Sequence, residues 1–118
     1  MRKIVYISHP VGGDESGNLE KVMDIGRRIN LSGADVVPFC PWIFDVMCLD
    51  GSVEGERALG IRNRLLVLRS GIVDELWLYG DYISSGMFLE IEVAREMGLG
   101  VLAMSSSIQE IFKTKNEK

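Results

Sequence analysis

The sequence predicts an α/β fold built on a parallel sheet covered by helices on both faces. Three observations carry that reading. Predicted elements alternate as β-α-β-(loop)-α-β-α-β-α along the chain. The strand segments are near-continuous apolar runs, as expected for strands buried on both sides. No repeat or low-complexity stretch interrupts the pattern, and 118 residues with 47% apolar and 25% charged side chains fit one globular domain spanning 1–118.

Ile4-Val5-Tyr6-Ile7 is a β-branched and aromatic run ended by Ser8-His9-Pro10, a buried strand. Val11 to Gly17 holds three glycines and two acids and is a loop. Asn18 or Ser16 caps the next helix, whose Leu19, Val22, Ile25 and Ile29 fall at helical spacing, with Gly33 closing it. Asp35-Val36-Val37-Pro38 is a second strand stopped by proline. Phe39 to Val53 is expected to be irregular, and loops of that length are usually functional or packed on a partner. Ala58, Ile61, Leu65 and Leu68 define a helix over Glu54–Ser70 ended by Gly71. Ile72–Tyr79 is the third strand, Gly80–Gly86 a polar turn, Met87–Met97 a helix closed by Gly98, and Gly100–Met104 the fourth strand. Ser105-Ser106-Ser107 starts a last helix, with a frayed tail expected over Lys113–Lys118.

Composition excludes several classes of function. Thirteen Lys and Arg against 17 Asp and Glu give a net charge of −4, so the clustered Arg57, Arg62, Arg64 and Arg69 sit in an acidic background. A nucleic-acid polymer needs a basic face and is not an expected partner. No apolar stretch approaches the ~20 residues of a membrane span, so no membrane partner is expected. The N-terminus has basic residues followed by only four apolar positions before Ser8, too few for a signal peptide. Cys40 and Cys48 match no common zinc or redox spacing and are read as free thiols in a reducing cytoplasm. Neither a metal nor a cofactor is expected.

In folds of this kind ligands bind at the carboxyl ends of strands where chain order reverses. That brings together the loops Ser8–Gly17 and Gly80–Gly86. On a helical wheel starting at Met87, Glu92, Arg95 and Glu96 cluster at about 130° while Glu90 falls at about 300°, among Val93, Ala94 and Met97. A carboxylate facing inward needs a cation, hydrogen-bond donors or a wet pocket. It either pairs with an arginine such as Arg57, lies at an oligomer seam, or does chemistry. Ser84-Ser85-Gly86 precedes the same helix, as a structural cap or as a cradle for a phosphate or sugar hydroxyl. Gly12-Gly13 forms part of the other loop, but no dinucleotide or P-loop fingerprint is present. His9, the single histidine, is either a ligand donor or structural. Tyr6 is a core residue or one whose hydroxyl reaches Glu90. Asp81 is a turn residue or an acid of the second loop. Trp42, Phe44 and Met47 make a lid, a dimer seam or an aromatic wall for a nucleobase.

Together these residues resemble the nucleoside 2-deoxyribosyltransferase-like superfamily, most closely its small branch found in bacteria and their phages. The resemblance rests on Val5-Tyr6-Ile7-Ser8-x-Pro10 with Gly12-Gly13, on Glu56-Arg57-x-x-Gly60-Ile61, on Asp74-Glu75-Leu76-Trp77-Leu78-Tyr79-Gly80, and on Ser84-x-Gly86-x-x-x-Glu90 entering a helix. It covers most of the chain. It implies a flavodoxin-like sheet of strand order 2-1-3-4(-5) and cleavage or transfer at an N-glycosidic bond. Glu90 would be the nucleophile, Tyr6 would position it, Ser84 and Gly86 would touch the sugar's 5′ side or phosphate, and the Ser8–Gly13 loop would surround the ligand. Two departures stand out. His9 occupies a position where the family commonly has Gly. The region before strand three reads Arg62-Asn63-Arg64-Leu65, without the aspartate that handles the base, leaving Asp81 as a substitute.

The sequence thus leads to a cytoplasmic enzyme acting on a nucleoside or nucleotide by hydrolysis or transfer. A non-catalytic nucleotide-binding sensor or sequestering module is the alternative. Cleavage of a nicotinamide bond in a dinucleotide is a third reading. The apolar Phe39–Met47 stretch leads to the expectation of a homo-oligomer.

Overall fold

The computed structural model describes residues 2–116, with side chains through Lys113. In chain order the elements are β1 (Lys3–Ser8), α1 (Glu15–Leu31), β2 (Val36–Phe39), α2 (Pro41–Cys48), α3 (Glu54–Arg69), β3 (Glu75–Leu78), α4 (Ser85–Glu96), β4 (Gly100–Ala103) and α5 (Ser106–Asn116). The four strands form one parallel sheet of order β2-β1-β3-β4. This is the flavodoxin-like doubly wound arrangement. The chain leaves β1 toward β2 on one side and returns to β3 on the other, so the switch point lies between β1 and β3, where Tyr6 pairs with Leu76 and Ser8 with Leu78.

Alternation along the strands divides the interior into two cores. Tyr6, Leu76 and Leu78 pack against Leu68 of α3, Met87, Ile91 and Ala94 of α4, and Ile108 of α5. Val5 and Ile7 face the other way onto Val22 of α1 and Trp42 of α2. Each fully buried large side chain of this kind contributes about 1.5–3 kcal/mol. Because α5 joins α3 and α4 on one side, Leu102 on the edge strand β4 stays partly open. No helix among the described residues is long and apolar enough to cross a membrane.

Several boundaries differ from expectation, each for a local reason. The stretch over 39–53 is not irregular, since Pro41–Cys48 is helical. Pro41 opens that helix at a position where a missing N–H costs nothing and a fixed φ helps. Pro38 lies inside β2 rather than ending it, at the sheet edge where proline is tolerated. Asp14, not Ser16 or Asn18, caps α1, accepting from the Gly17 N–H at 3.2 Å. Asn18 is instead buried, and its amide donates to the Val11 and Gly12 carbonyls at 3.2 and 3.3 Å, pinning the first loop. β3 begins only at Glu75, because the Asp74 carboxylate turns back to accept from the Ile4 N–H at 2.7 Å. α4 starts at Ser85, two residues before Met87. α5 stays helical to Asn116 rather than fraying from Lys113, and residues 117–118 lie outside the described residues.

Candidate active site

Tyr6 and Ser8 are two apart on β1, so their side chains leave the same face of the sheet, toward α4. Glu90 lies on the second turn of α4 and meets them there. The Tyr6 hydroxyl donates to one carboxylate oxygen, and Ser8 Oγ donates to the other at 2.7 Å. Glu90 is only 3% exposed. Burial pushes its pKa up, opposed by the Tyr6 bond, the nearby Arg64 charge and the Ser8 bond. Burial, with the adjacent Glu90 charge, holds the Tyr6 phenol well above its ordinary value, so Tyr6 remains a donor.

A cavity of about 390 Å³ opens beside this carboxylate at the carboxyl ends of β1 and β3. One wall is the first loop, with His9, Val11, Gly12 and Glu15; the opposite wall is Tyr82 and the start of α4, with Ser84, Ser85, Gly86 and Met87; Trp42, Arg57, Ile61 and Arg64 complete it. Ser84 caps α4 by accepting from the Met87 N–H at 3.2 Å. The Ser85 and Gly86 N–H groups lie in the first helical turn, where no preceding turn supplies an acceptor, and they give this wall a partial positive charge.

Arg64 enters from α3, where Gly60, Arg64 and Leu68 form the buried stripe. Its Nε lies 3.7 Å from Glu90 Oε2 and its Nη1 lies 3.9 Å from Asp45 Oδ2 of α2. These are charge contacts too long for hydrogen bonds. Arg64 Nε, Asp45 Oδ2 and Trp42 Nε1 are accordingly buried without hydrogen-bond partners. The guanidinium lies against α4, and a Cβ at Gly86 would stand 3.4 Å from Nη2. Burial raises the Asp45 pKa against the pull of Arg64, and burial together with the Glu90 charge pushes the Cys40 thiol up to about 12.

Of the residues singled out from the sequence, His9, Gly12, Ser84, Ser85, Gly86 and Glu90 line the cavity, while Tyr6 and Ser8 hold Glu90. His9 is buried, its Nδ1–H donates to the Pro10 carbonyl at 2.8 Å, and burial lowers its pKa, so the ring is neutral near pH 7. Gly13 shapes the loop with φ +88° without lining the cavity. Asp81 is exposed, accepts from the Ser107 hydroxyl at 3.5 Å, and does not line the cavity. Trp42 is not a surface lid; it is buried in the core and forms cavity wall, whereas Phe44 and Met47 on the same helix are exposed. The arginine beside Glu90 is Arg64 rather than Arg57. Sequence reasoning missed Arg64, although an arginine on the stripe Ile61-Leu65-Leu68 carries the same signal that marked Glu90. Among the described residues no group of three or more His, Cys, Asp or Glu side chains is placed to hold a metal ion.

Fold and cleft together define a doubly wound α/β protein whose switch-point cavity opens onto a buried, hydrogen-bonded carboxylate. Residues 3–104 match the family described as a domain of unknown function (DUF7768), and the chain belongs to that family. No curated protein matches the chain.

Proposed function

We propose that this protein breaks or exchanges the N-glycosidic bond of a nucleoside or nucleotide, with Glu90 as nucleophile. The observation that carries the reading is a carboxylate buried in the protein, oriented by two hydroxyl donors, and open to one cavity of nucleoside size. Tyr6 and Ser8 each hold one oxygen, which fixes the carboxylate plane and leaves further lone pairs for attack on C1′. A Glu90 oxygen bonds to C1′ as the C–N electron pair leaves with the base. Water then attacks the same carbon, releases the carboxylate and supplies the proton that the base takes up; a nitrogen of a second nucleobase in place of water gives transfer, its N–H supplying that proton. The N–H groups at the start of α4 suit an anionic or hydroxylated 5′ end of the substrate. No metal or cofactor enters this scheme.

Incubation with a panel of nucleosides and nucleoside monophosphates, followed by chromatography for free base, tests the proposal. Wild type releases base, and Glu90→Ala abolishes release while its circular dichroism and melting remain those of a folded protein. Equal activity in the variant would remove Glu90 from the chemistry.

The second reading, a non-catalytic nucleotide-binding module, is favoured by one observation: among the described residues, Glu15 is the only carboxylic acid besides Glu90 that lines the cavity. Stabilisation of the protein by nucleoside monophosphates with no base released supports it. Released nicotinamide from a dinucleotide would redirect the substrate assignment. We further propose that the protein acts in the cytoplasm and that copies associate through α2, whose Phe44 and Met47 are 72% and 74% exposed.

A further inference from the structure

Around Glu90, outside its own hydrogen bonds, stand one buried cation, Arg64, and one half-buried acid, Asp45, whose Oδ2 is enclosed. Arg64 stands between two carboxylates, 3.7 Å from Glu90 and 3.9 Å from Asp45, and hydrogen-bonds neither. A guanidinium free to choose would close on one carboxylate with paired bonds. Here two opposing attractions and the packing of Nη2 over Gly86 hold it between them.

From this geometry we infer that Asp45 and Arg64 form a charge clamp on Glu90, in which Arg64 keeps the nucleophile ionised and Asp45 keeps Arg64 from bonding it. The inference rests on the proposed role of Glu90 and adds two positioning residues to it. Both parts matter for reactivity. Without Arg64 the buried carboxylate loses the cation that is in charge contact with it among the described residues. The other groups around it are Tyr6 and Ser8 from β1, Cys40 before α2 and Asp45 beyond the guanidinium, with His9, Glu15 and Arg57 on the walls of the same cavity. Without Asp45 the guanidinium is free to move the last fraction of an ångström onto Oε2, which already accepts from Tyr6, and occupy a lone pair needed for attack. The clamp also suits the covalent step. When a Glu90 oxygen bonds to C1′ the carboxylate loses its charge, and Asp45 remains to balance Arg64 until hydrolysis restores it.

The experiment reads Glu90 directly. Side-chain carboxyl ¹³C NMR is followed against pH in wild type, Arg64→Met, Arg64→Lys and Asp45→Asn, with Glu90→Gln assigning the resonance. Arg64→Met raises the proton affinity of Glu90 at least tenfold, the effect of losing an opposite charge within about 4–6 Å. Arg64→Lys stays near wild type, and Asp45→Asn lowers the affinity. Where base release is measurable, the acid limb of kcat/KM moves in the same directions. Opposite shifts in the two variants are not produced by general loosening of the site. A Glu90 titration unmoved by Arg64→Met, or moved the same way by both, overturns the clamp; if Arg64→Met fails to fold, an Asp45→Asn titration that does not fall overturns it alone. Absence of base release in wild type overturns the glycosidic reading instead, while the titrations still decide the clamp.

Discussion

Replacing Tyr6 by Phe tests whether Glu90 is held as an anion. Phenylalanine fills the same buried volume, so the change removes one hydroxyl and leaves no cavity. What is lost is a hydrogen bond to one carboxylate oxygen, with Ser8 holding the other. A bond to a charged partner contributes about 1.5–3 kcal/mol, and one between neutral groups about 0.5–1.5 kcal/mol. At pH 8 the variant should therefore lose about 2 kcal/mol, or roughly 5–12 °C in Tm for a chain of this length. The pH dependence gives the sharper check. Burial raises the Glu90 pKa in the folded state, so the native protein binds more protons than the unfolded chain between the two values, and stability falls as pH rises through that window. Loss of the Tyr6 donor raises the folded value further and widens the window. The gap between wild type and variant should open with rising pH and narrow to about 1 kcal/mol at acid pH, where Glu90 is protonated. Urea unfolding followed by circular dichroism across pH measures it. A penalty constant with pH would show that the hydroxyl meets a neutral group, and the ionised nucleophile would fall with it.

Other perturbations separate backbone, titration and association. Gly80→Ala combines φ +100° with a Cβ only 2.6 Å from Pro10 Cδ, and should cost about 2–4 kcal/mol in a denaturant titration. Gly26→Ala, inside α1 with nothing within 4 Å of its Cβ, should stabilise by about 0.5–1 kcal/mol in the same assay. Burial lowers the His9 pKa, so its contribution is present above the unfolded value of about 6.5 and is lost as pH falls through the folded value; the His9 ring proton NMR signals should titrate below that reference, and His9→Asn should flatten the stability curve across this window. Wild type should sediment as a dimer or larger species at micromolar concentration and Phe44→Asp with Met47→Asp as a monomer, whereas a monomeric wild type removes the α2 interface.

Element order was legible because strands buried on both faces and helices with one apolar stripe differ in period, and both periods are strong here. α2 was not. Its Trp42-Ile43-Phe44 run is apolar on every side, and eight residues give too few turns for a stripe to stand out. From sequence Pro38 reads as a stop and Pro41 as part of a loop, though Pro38 sits in an edge strand and Pro41 opens a helix. The cap of α1 was similarly ambiguous. Asp14, Ser16 and Asn18 are all good caps, and the choice among them is made by the loop, which needs the Asn18 amide for two of its own carbonyls.

The site shows the same division. Glu90 was visible because a charge on the apolar side of its helix conflicts with local pattern, and such a conflict persists only where tertiary structure compensates it. Arg64 presents an equal conflict on α3, yet among Arg57, Arg62 and Arg69 it passed as one more surface charge. Its partner Asp45 is not recognisable from sequence, where the helix Pro41–Cys48 reads as a loop. A buried guanidinium between two acids that it does not bond contributes little to stability, because desolvation offsets most of the attraction. Apolar side chains at positions 45, 64 and 90 would pack there at lower cost. The only elements that bring all three charges together are α2, α3 and α4, and they converge beside the carboxyl end of β1, where chain order reverses and a cavity remains open. Under the proposed function these incompletely paired groups stand next to open space at a switch point to meet the substrate, and Tyr6 and Ser8 on the neighbouring strand hold the Glu90 carboxylate in place for it.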